Sequence, residues 1–239
     1  MAGREKDTYS IQAVDNAMDL LEALCEEGDG VRISYLSEKL GMNKTSVFRL
    51  LATFENRGYV EKVKGSGKYC LGISAYEMGQ KFLSCMGLLR KARPVMERLA
   101  REINEAIYLV VRRENQGLFL DLSDTTHQVK IISLVGKKYP LESFSAGRLI
   151  LAGTQERLNE SHKTPMVDQD ALGEGITSLS VPLMTPAGEI PGALCLVGPS
   201  YRLSPKIPEE KLFIRLKEAG DVISSKMGYV GHYLGTAAI

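Results

Sequence analysis

The sequence predicts an α+β protein with two parts: a small helical unit closed by a hairpin, and a larger unit in which helices flank an antiparallel sheet. Apolar residues recur at helical spacing up to residue 104, and period-two alternation dominates from residue 107 onward. The length of 239 residues suits two modest domains. We expect a first domain at 1–72, a linker helix at 73–93 and a second domain at 94–239.

The first domain is predicted to open with a helix over residues 10–26. Val14, Ala17, Leu21 and Leu24 lie on one side of this helix. That side is expected to face the core of the domain.

Two further helices carry signals at their ends. Ser34 is the expected N-cap of the second helix, and Gly41 with Met42 supplies the turn after it. Asn43 is placed to cap the third helix, because its side-chain oxygen can accept from a backbone N–H of the first turn. Gly58 takes the left-handed position after the last turn. The pattern predicts a helix-turn-helix.

The third helix separates into an apolar face and a polar face. Its apolar residues fall at i, i+3, i+4 and i+7 and must face a core: Val47, Leu50, Leu51 and Phe54. The opposite face comprises Thr45, Arg49, Ala52 and Asn56, flanked by Lys44, Phe48 and Thr53. Such a face offers hydrogen-bond donors and a cation, and it can enter the major groove of DNA.

A hairpin is predicted directly after this helix. The segment YVEKV is rich in strand-forming residues, residues 65–67 favour a turn, and residues 68–71 return as a second strand. A hairpin in this place is the wing of a winged helix-turn-helix, which lies against the neighbouring DNA backbone.

Basic residues are concentrated in the third helix and the wing. Residues 1–72 contain ten Lys and Arg against eleven Asp and Glu, but residues 44–68 contain six against two. The alternatives are a solvated helix and hairpin in an ordinary α+β protein, or a winged helix that contacts protein. We favour double-stranded DNA as the partner and expect it to be contacted by Lys44, Thr45, Ser46, Phe48, Arg49, Lys62, Lys64 and Lys68.

Composition and cysteine usage exclude several classes of protein. The formal net charge of +1 argues against a general polyanion-coating protein, so a nucleic-acid contact must be local. No C-x-x-C spacing occurs and the surroundings are apolar, which favours buried free thiols in a reducing compartment at Cys25, Cys70, Cys85 and Cys195. The N-terminus lacks a signal-peptide core, and no apolar run is long enough to span a bilayer. We therefore expect a cytoplasmic protein with no membrane partner.

The predicted linker helix is apolar around much of its circumference. Its apolar and small residues are Tyr76, Met78, Gly79, Phe82, Leu83, Met86 and Leu89. Such a helix is either buried within one domain or packs against its copy in a dimer. We favour the dimer, because operators bound by winged helices are usually contacted by two-fold symmetric pairs. Pro94 is expected to interrupt the helix or to start a new one that runs to about Asn104.

The second domain is dominated by strand patterns. IYLVVRR and LFLDLS predict a hairpin, and VKIISLVG predicts a third strand. Residues 145–153 predict a short helix, TSLSVPLM and GALCLVGP predict further strands, and residues 208–227 predict a closing amphipathic helix. A small-molecule sensor domain is expected to have this architecture.

The chain resembles the IclR (isocitrate lyase regulator) family of bacterial transcriptional regulators over nearly its whole length. The resemblance rests on the order and spacing of five stretches: AVDNAMDLLEAL, NKTSVFRLLATFENRGYVEK, GKYCLG, GKKYPLESFSAGRLILAG and GITSLSVPLMTPAGEIPGALCLVGPSYRLS. It implies a winged helix-turn-helix, a linker helix and a GAF-like effector domain that binds a small organic acid or aromatic effector. It also implies a homodimer or a dimer of dimers that represses or activates transcription.

The chain departs from the family between Gly153 and Gly175. Only 21 residues lie between them, where the family usually has about twice as many, so the effector domain is shortened. The resemblance implies that a ligand is bound by Ser145, Ala146, Asp168, Ile176, Ser178 and Cys195. Because a thiol is only a weak donor, a ligand carboxylate would depend on the serines and on free backbone N–H groups at the helix start. The alternative is that these are small core residues.

Enzymatic interpretations find little support in the sequence. His127, His162 and His232 show no metal-ligand spacing, and no nucleophile-elbow or phosphate-loop motif occurs. Cys195 is the only cysteine of the second domain, which argues against a sulfoxide-reducing enzyme. We expect no metal and no cofactor. The predicted function is sequence-specific DNA-binding transcriptional regulation controlled by a small metabolite; the alternative is a DNA-binding regulator whose second domain only oligomerises.

Overall fold

The chain divides at Met86 into two compact units, which are described separately. The structure is a computed structural model that describes residues 10–27, 30–153, 166–203 and 209–229, with the backbone alone at 83–85 and 209–210. No helix in these ranges is long and apolar enough to cross a lipid bilayer.

The first unit combines helices with one hairpin. Its described elements are α1 (Gln12–Glu26), α2 (Ile33–Lys39), α3 (Lys44–Asn56), β1 (Val60–Val63), β2 (Lys68–Leu71) and α4 (Ile73–Cys85). β1 and β2 pair antiparallel, as predicted for the wing. Val31, in the loop between α1 and α2, exchanges two backbone hydrogen bonds with Tyr69 of β2, at 2.8 and 2.7 Å. The wing is therefore attached to that loop.

One apolar core joins the elements of the first unit. Its buried members are Leu20, Ala23, Leu24, Val31, Leu36, Val47, Leu51, Val60 and Tyr69. Leu50 and Phe54 pack against this core, so the apolar stripe predicted for α3 is confirmed. The prediction for α1 was partly wrong: Val14 is 54% exposed, because the buried side of α1 is shifted toward Leu20 and Ala23. Cys25 of the same helix is exposed, so the prediction of a buried thiol was wrong there.

The ends of α3 form as predicted. The Asn43 side chain accepts a hydrogen bond from the backbone N–H of Ser46 at 2.8 Å, and Gly58 adopts the left-handed conformation with φ +74°. The prediction for the start of α2 was wrong. α2 begins at Ile33 without a side-chain cap, which places Ser34 inside its first turn.

α4 begins directly at the end of the wing and is bonded to it. The backbone N–H of Ser74 donates to the carbonyl of Gly58 at 3.1 Å, and that of Ile73 donates to the Glu61 carboxylate at 3.4 Å. A Cβ on Gly72 would overlap the carbonyl of Gly58, so the chain segments pass too closely here for any side chain.

The break between α4 and the next helix lies at Met86. This residue is extended (φ −71°, ψ 106°), and α5 follows from Gly87 to Ile103. The predicted break at Pro94 was wrong, because Pro94 lies inside α5. Pro94 and Arg90 are both exposed, so water can satisfy the Arg90 carbonyl that receives no N–H from the proline.

The second unit is built on one six-stranded antiparallel sheet. After α5, its described elements are β3 (Ala106–Arg113), β4 (Gln116–Ser123), β5 (Lys138–Pro140), a 3₁₀ helix (Leu141–Ser143), α6 (Ser145–Ala152), β6 (Met166–Gln169), β7 (Ile176–Leu183), β8 (Gly192–Pro199), α7 (Ser200–Leu203) and α8 (Glu209–Met227). The strand order is β5-β4-β3-β8-β7-β6. α5 and α8 pack on one face of the sheet, and α6 packs on the other. The predicted α+β class is confirmed.

Alternate residues of the central strands belong to two cores. On β8, Ala193, Cys195 and Val197 face α6, whereas Leu194 and Leu196 are buried on the opposite face. This explains why GALCLVGP is apolar throughout: helices cover the strand on both sides.

The prediction of a third strand at VKIISLVG was wrong. Residues 129–136 are irregular, and the strand beside β4 is β5, which begins only at Lys138. Ile131 and Leu134 pack against the core but lie three positions apart, so burial does not follow the period of a strand. The backbone N–H of Leu134 donates to the Tyr108 hydroxyl at 3.4 Å. The short elements β6 and α7 were not predicted.

Gly147 allows α6 to lie close to the preceding 3₁₀ helix. A Cβ at this position would overlap the backbone carbonyl of Leu141, and both residues are buried. Backbone cannot move aside as a flexible side chain can, so any larger residue at position 147 would force α6 and the 3₁₀ helix apart.

We expect Gly147→Ala to lower the free energy of unfolding by about 2 kcal/mol through overpacking. The matched control is Gly79→Ala in α4, where an added Cβ would meet nothing within 4 Å. That change should be neutral or should stabilise by up to about 1 kcal/mol, because alanine favours helix. Urea denaturation of each full chain, followed by circular dichroism, measures both. Equal midpoints for the two variants would contradict the close approach of α6.

Candidate nucleic-acid interface and effector site

The solvent face of α3 carries the side chains predicted to contact DNA. Lys44, Thr45, Phe48 and Arg49 are exposed on it. Ser46 is half-buried, and its backbone N–H belongs to the helix cap. The first two turns of α3 therefore present a cation at either end of a polar and aromatic surface.

The wing adds three lysines to the same unit. Lys62 and Lys64 are exposed, whereas Lys68 is half-buried. The Lys62 ammonium lies 5.9 Å from the centre of the Tyr69 ring, at the outer range of a cation–π contact. Tyr69 thus orients Lys62 while its own N–H and carbonyl hold the wing to Val31.

Positive charge on α3 and the wing is not neutralised by any carboxylate among the described residues. Lys39 of α2 provides the contrast: its ammonium lies 2.9 Å from Glu26 and 3.2 Å from Glu27, and these hydrogen bonds raise its pKa. In the described part of the chain, no carboxylate lies within 4.0 Å of the charged groups of Lys44, Arg49, Lys62, Lys64 and Lys68. Cations left unpaired in this way suit a phosphate backbone.

Three serine hydroxyls meet between α6 and the sheet. The Ser145 Oγ lies 2.8 Å from the Ser180 Oγ and 3.4 Å from the Ser178 Oγ, and all three side chains are buried. Ala146, next to Ser145 in α6, is buried as well. The structure therefore brings together Ser145, Ala146 and Ser178, as the resemblance implied.

The carboxylate of Asp168 occupies the start of α6. One oxygen accepts from the backbone N–H of Ser145, and the other forms an ion pair with the guanidinium of Arg148. The expectation of free N–H groups at this helix start was wrong for Ser145. A side chain of β6 already supplies the negative charge that a helix N-terminus favours.

Cys195 and Ile176 lie at the margins of this cluster. Cys195 faces Ser180 across the β7–β8 pair and is fully buried, and burial raises the pKa of its thiol to about 12. The thiol stays protonated at neutral pH and packs as a small apolar group. Ile176, at the start of β7, is half-buried against the same apolar cluster.

Ser180 and Arg148 complete the site and were missed in the sequence. Ser180 lies two residues after Ser178, so the period of a strand places both on one face. Arg148 lies three residues after Ser145, so the period of a helix places them on adjacent turns. These spacings are visible in the sequence, but they do not show that Ser180 meets Ser145 or that Arg148 pairs with Asp168.

Matches to known families cover both units. Residues 13–64 match the IclR helix-turn-helix domain, and residues 80–169 match the C-terminal domain of the bacterial transcriptional regulator IclR. Together the two matches span more than half of the chain. The chain belongs to the IclR family. As a member of this family it is a DNA-binding transcriptional regulator and not an enzyme.

IclR-family relatives match the chain at modest identity. The transcriptional regulator KdgR of Escherichia coli K12 is 26% identical, over 95% of this chain and 97% of that protein. The transcriptional regulator KipR of Bacillus subtilis 168 is 33% identical, over 50% of this chain and 48% of that protein.

Solved IclR structures share the fold. An IclR regulator from Alicyclobacillus acidocaldarius superposes with a TM-score of 0.78 at 21% identity, covering 92% of this chain and all of that one. An IclR homologue from Microbacterium hydrocarbonoxydans, complexed with 4-hydroxybenzoate, gives a TM-score of 0.73 at 19% identity, covering 89% of this chain and 99% of that one. At these identities the likeness concerns the fold.

Proposed function

We propose that this regulator binds operator DNA through the exposed face of α3 and the wing, and that a small organic acid or aromatic metabolite bound beside α6 changes its affinity for that DNA. The observation that supports the DNA contact is that the cations of α3 and the wing face no carboxylate in the part of the chain that the structure describes, whereas Lys39 is paired with two. Because bacterial DNA lies in the cytoplasm, we place the protein there.

The centre and the edges of the proposed DNA interface are expected to contact different parts of the DNA. Arg49 lies at the centre of the exposed face of α3, where a guanidinium can pair bidentately with a guanine in the major groove. Lys44 at the helix start and Lys64 in the wing turn are placed toward the edges, where phosphates lie. Base contacts specify the sequence, and phosphate contacts supply affinity for any duplex.

We expect Arg49→Ala to reduce affinity for a duplex selected from a random library by about 1–3 kcal/mol and to relax sequence preference. Lys44→Ala should weaken binding to all duplexes alike and reduce the salt slope by about 1. Lys39→Ala is the matched control, because its charge is already neutralised by two carboxylates. Isotherms at several salt concentrations separate these effects. Unchanged affinity and preference for Arg49→Ala would remove this residue from the interface.

The proposed effector site is the serine cluster with Asp168. The buried hydroxyls of Ser145, Ser178 and Ser180 offer convergent polar groups beside apolar walls, as ligand sites do. An acid that binds at the start of α6 must compete with Asp168 for the N–H of Ser145 and for Arg148. Ligand binding is thereby linked to a shift of β6. A ligand alters DNA affinity only if it binds with different affinity to the DNA-binding form of the protein and to the form that does not bind DNA.

The alternative is a second unit that only oligomerises. Five residues of the site are as well buried as any core residue: Ser145, Ala146, Ser178, Ser180 and Cys195. Only 21 residues lie between Gly153 and Gly175, where the family usually has about twice as many. The three serine hydroxyls already pair with one another, and such pairs satisfy buried hydrogen-bonding groups without a ligand. A binding measurement separates the two functions.

A calorimetric screen of 4-hydroxybenzoate and a panel of small carboxylic acids tests the effector site. We expect at least one probe to bind the wild type, and Ser178→Ala to weaken that binding about tenfold, because a hydrogen bond to a charged group is removed. Ser224→Ala is the control: it is equally buried, but its hydroxyl bonds to Gly220 and Met184 outside the site. Binding unaffected by Ser178→Ala would place the ligand elsewhere, and no binding by the wild type would favour the oligomerisation function.

We also propose a homodimer, or a dimer of dimers, held in part by α4. Ile73, Tyr76, Met78 and Phe82 are each more than half exposed on this helix, a larger apolar surface than a solvated helix usually presents. Leu89 does not contribute, because it is buried in the second unit, and the Leu83 side chain lies outside the described residues. A two-fold pair would suit a palindromic operator.

Phe82→Glu should place a charge in this contact and raise the dimer dissociation constant at least tenfold, about 1.4 kcal/mol. Ile214→Glu is the control, since Ile214 is similarly exposed but lies on α8. Light scattering at micromolar concentration reports the mass of each variant. A wild-type chain that runs as a monomer would remove both the dimer and the palindromic operator.

A further inference from the structure

Phe48 is a large aromatic side chain exposed on the face of α3 that we assign to DNA. It is 54% exposed, and it belongs neither to the apolar core of the first unit nor to any ring contact among the described residues. The stripe that anchors α3 is complete without it, because Val47, Leu51 and Phe54 already fill the inner side. Phe48 is therefore not needed to hold the helix in place.

The neighbours of Phe48 define what could cover it. Thr45 lies three residues before it, Lys44 lies four residues before it, and Arg49 follows it directly. An apolar ring surrounded by cations and a hydroxyl matches a partner that combines negative charge with a small apolar spot. The major groove has this combination, because the 5-methyl group of thymine is the apolar feature among its base edges.

We propose that Phe48 determines specificity by contacting a thymine 5-methyl group in the operator. The proposal rests on the assignment of α3 to the major groove and names the base that one of its residues recognises. A phenyl ring has no hydrogen-bonding group, so it cannot discriminate bases through donors or acceptors. Its selectivity comes from burying the methyl group, which neither cytosine nor uracil carries.

The size of the effect follows from the methyl group alone. Burying one such group contributes about 0.8 kcal/mol, which corresponds to about a fourfold change in affinity. Truncating the ring should abolish this discrimination and also reduce the affinity for the thymine-containing site. It should leave folding intact, because the side chain is exposed.

The experiment begins with a duplex selected by the wild-type chain from a random library. Each thymine of that duplex is then replaced, one at a time, by deoxyuridine, which lacks only the 5-methyl group. We expect at least one replacement per half-site to weaken wild-type binding about fourfold. Phe48→Ala should bind the two duplexes equally, whereas Phe48→Tyr should retain the preference, because it keeps the ring. Ile214→Ala, at 55% exposure on α8, is the control for loss of an exposed apolar side chain.

Three other outcomes would overturn the role of Phe48, and they differ in whether the DNA interface on α3 is retained. If no deoxyuridine replacement weakens wild-type binding, the site is bound without reading a thymine methyl, and the DNA interface stands while the role of Phe48 falls. If Phe48→Ala still distinguishes thymine from uracil, another residue contacts the methyl. If Arg49→Ala and Phe48→Ala both bind the selected duplex as the wild type does, the groove assignment of α3 fails together with the proposal.

Discussion

The fit of α6 against the sheet is the constraint on which the second unit depends. Gly147 lets the helix approach the backbone of Leu141, and the small side chains at its start allow the serine hydroxyls to meet. Asp168 then joins the edge strand β6 to the helix, and Arg148 balances its charge. Because buried polar groups must be paired, these bonds fix helix and edge strand together. A ligand entering here has to exchange bonds with the protein rather than simply fill a space.

Charged side chains pair with one another in the second unit, whereas most of those of α3 and the wing are exposed for contact with a partner. In the second unit, Arg202 bonds both oxygens of the buried Glu105, and Arg93 bonds both oxygens of Asp121. Such bidentate pairs join elements far apart in sequence, and their opposite charges largely cancel at the protein surface. In the first unit, the cations of α3 and the wing have no such partner within the described ranges. The local environment of each cation, rather than a net charge of +1, therefore determines where a polyanion can bind.

Local patterns in the sequence predict the first unit better than the second. The caps of α3, its apolar stripe and the wing are short-range features, and the structure confirms each of them. The irregular segment at 129–136 and the edge strand β6 depend on tertiary contacts, such as the Tyr108 hydroxyl, that no local period encodes. The same holds for the proposed effector site. Ser145, Ser178 and Asp168 were expected from the family resemblance, but the pairing of Asp168 with the start of α6 became apparent only when β6 was placed beside β7.

The attachment of α4 to the wing has a mechanical consequence. Three bonds or close approaches, at Gly58, Glu61 and Gly72, leave the first turn of α4 no freedom to swivel independently of the hairpin. We therefore expect the hairpin and α4 to move together as one rigid body. A force that tilts the distal end of α4 must reposition the lysines of the wing, and a DNA backbone that pins those lysines must resist that tilt. Linkage requires the two effects to be equal in free energy. Under the proposed function, DNA binding at the wing is therefore coupled to any displacement of α4.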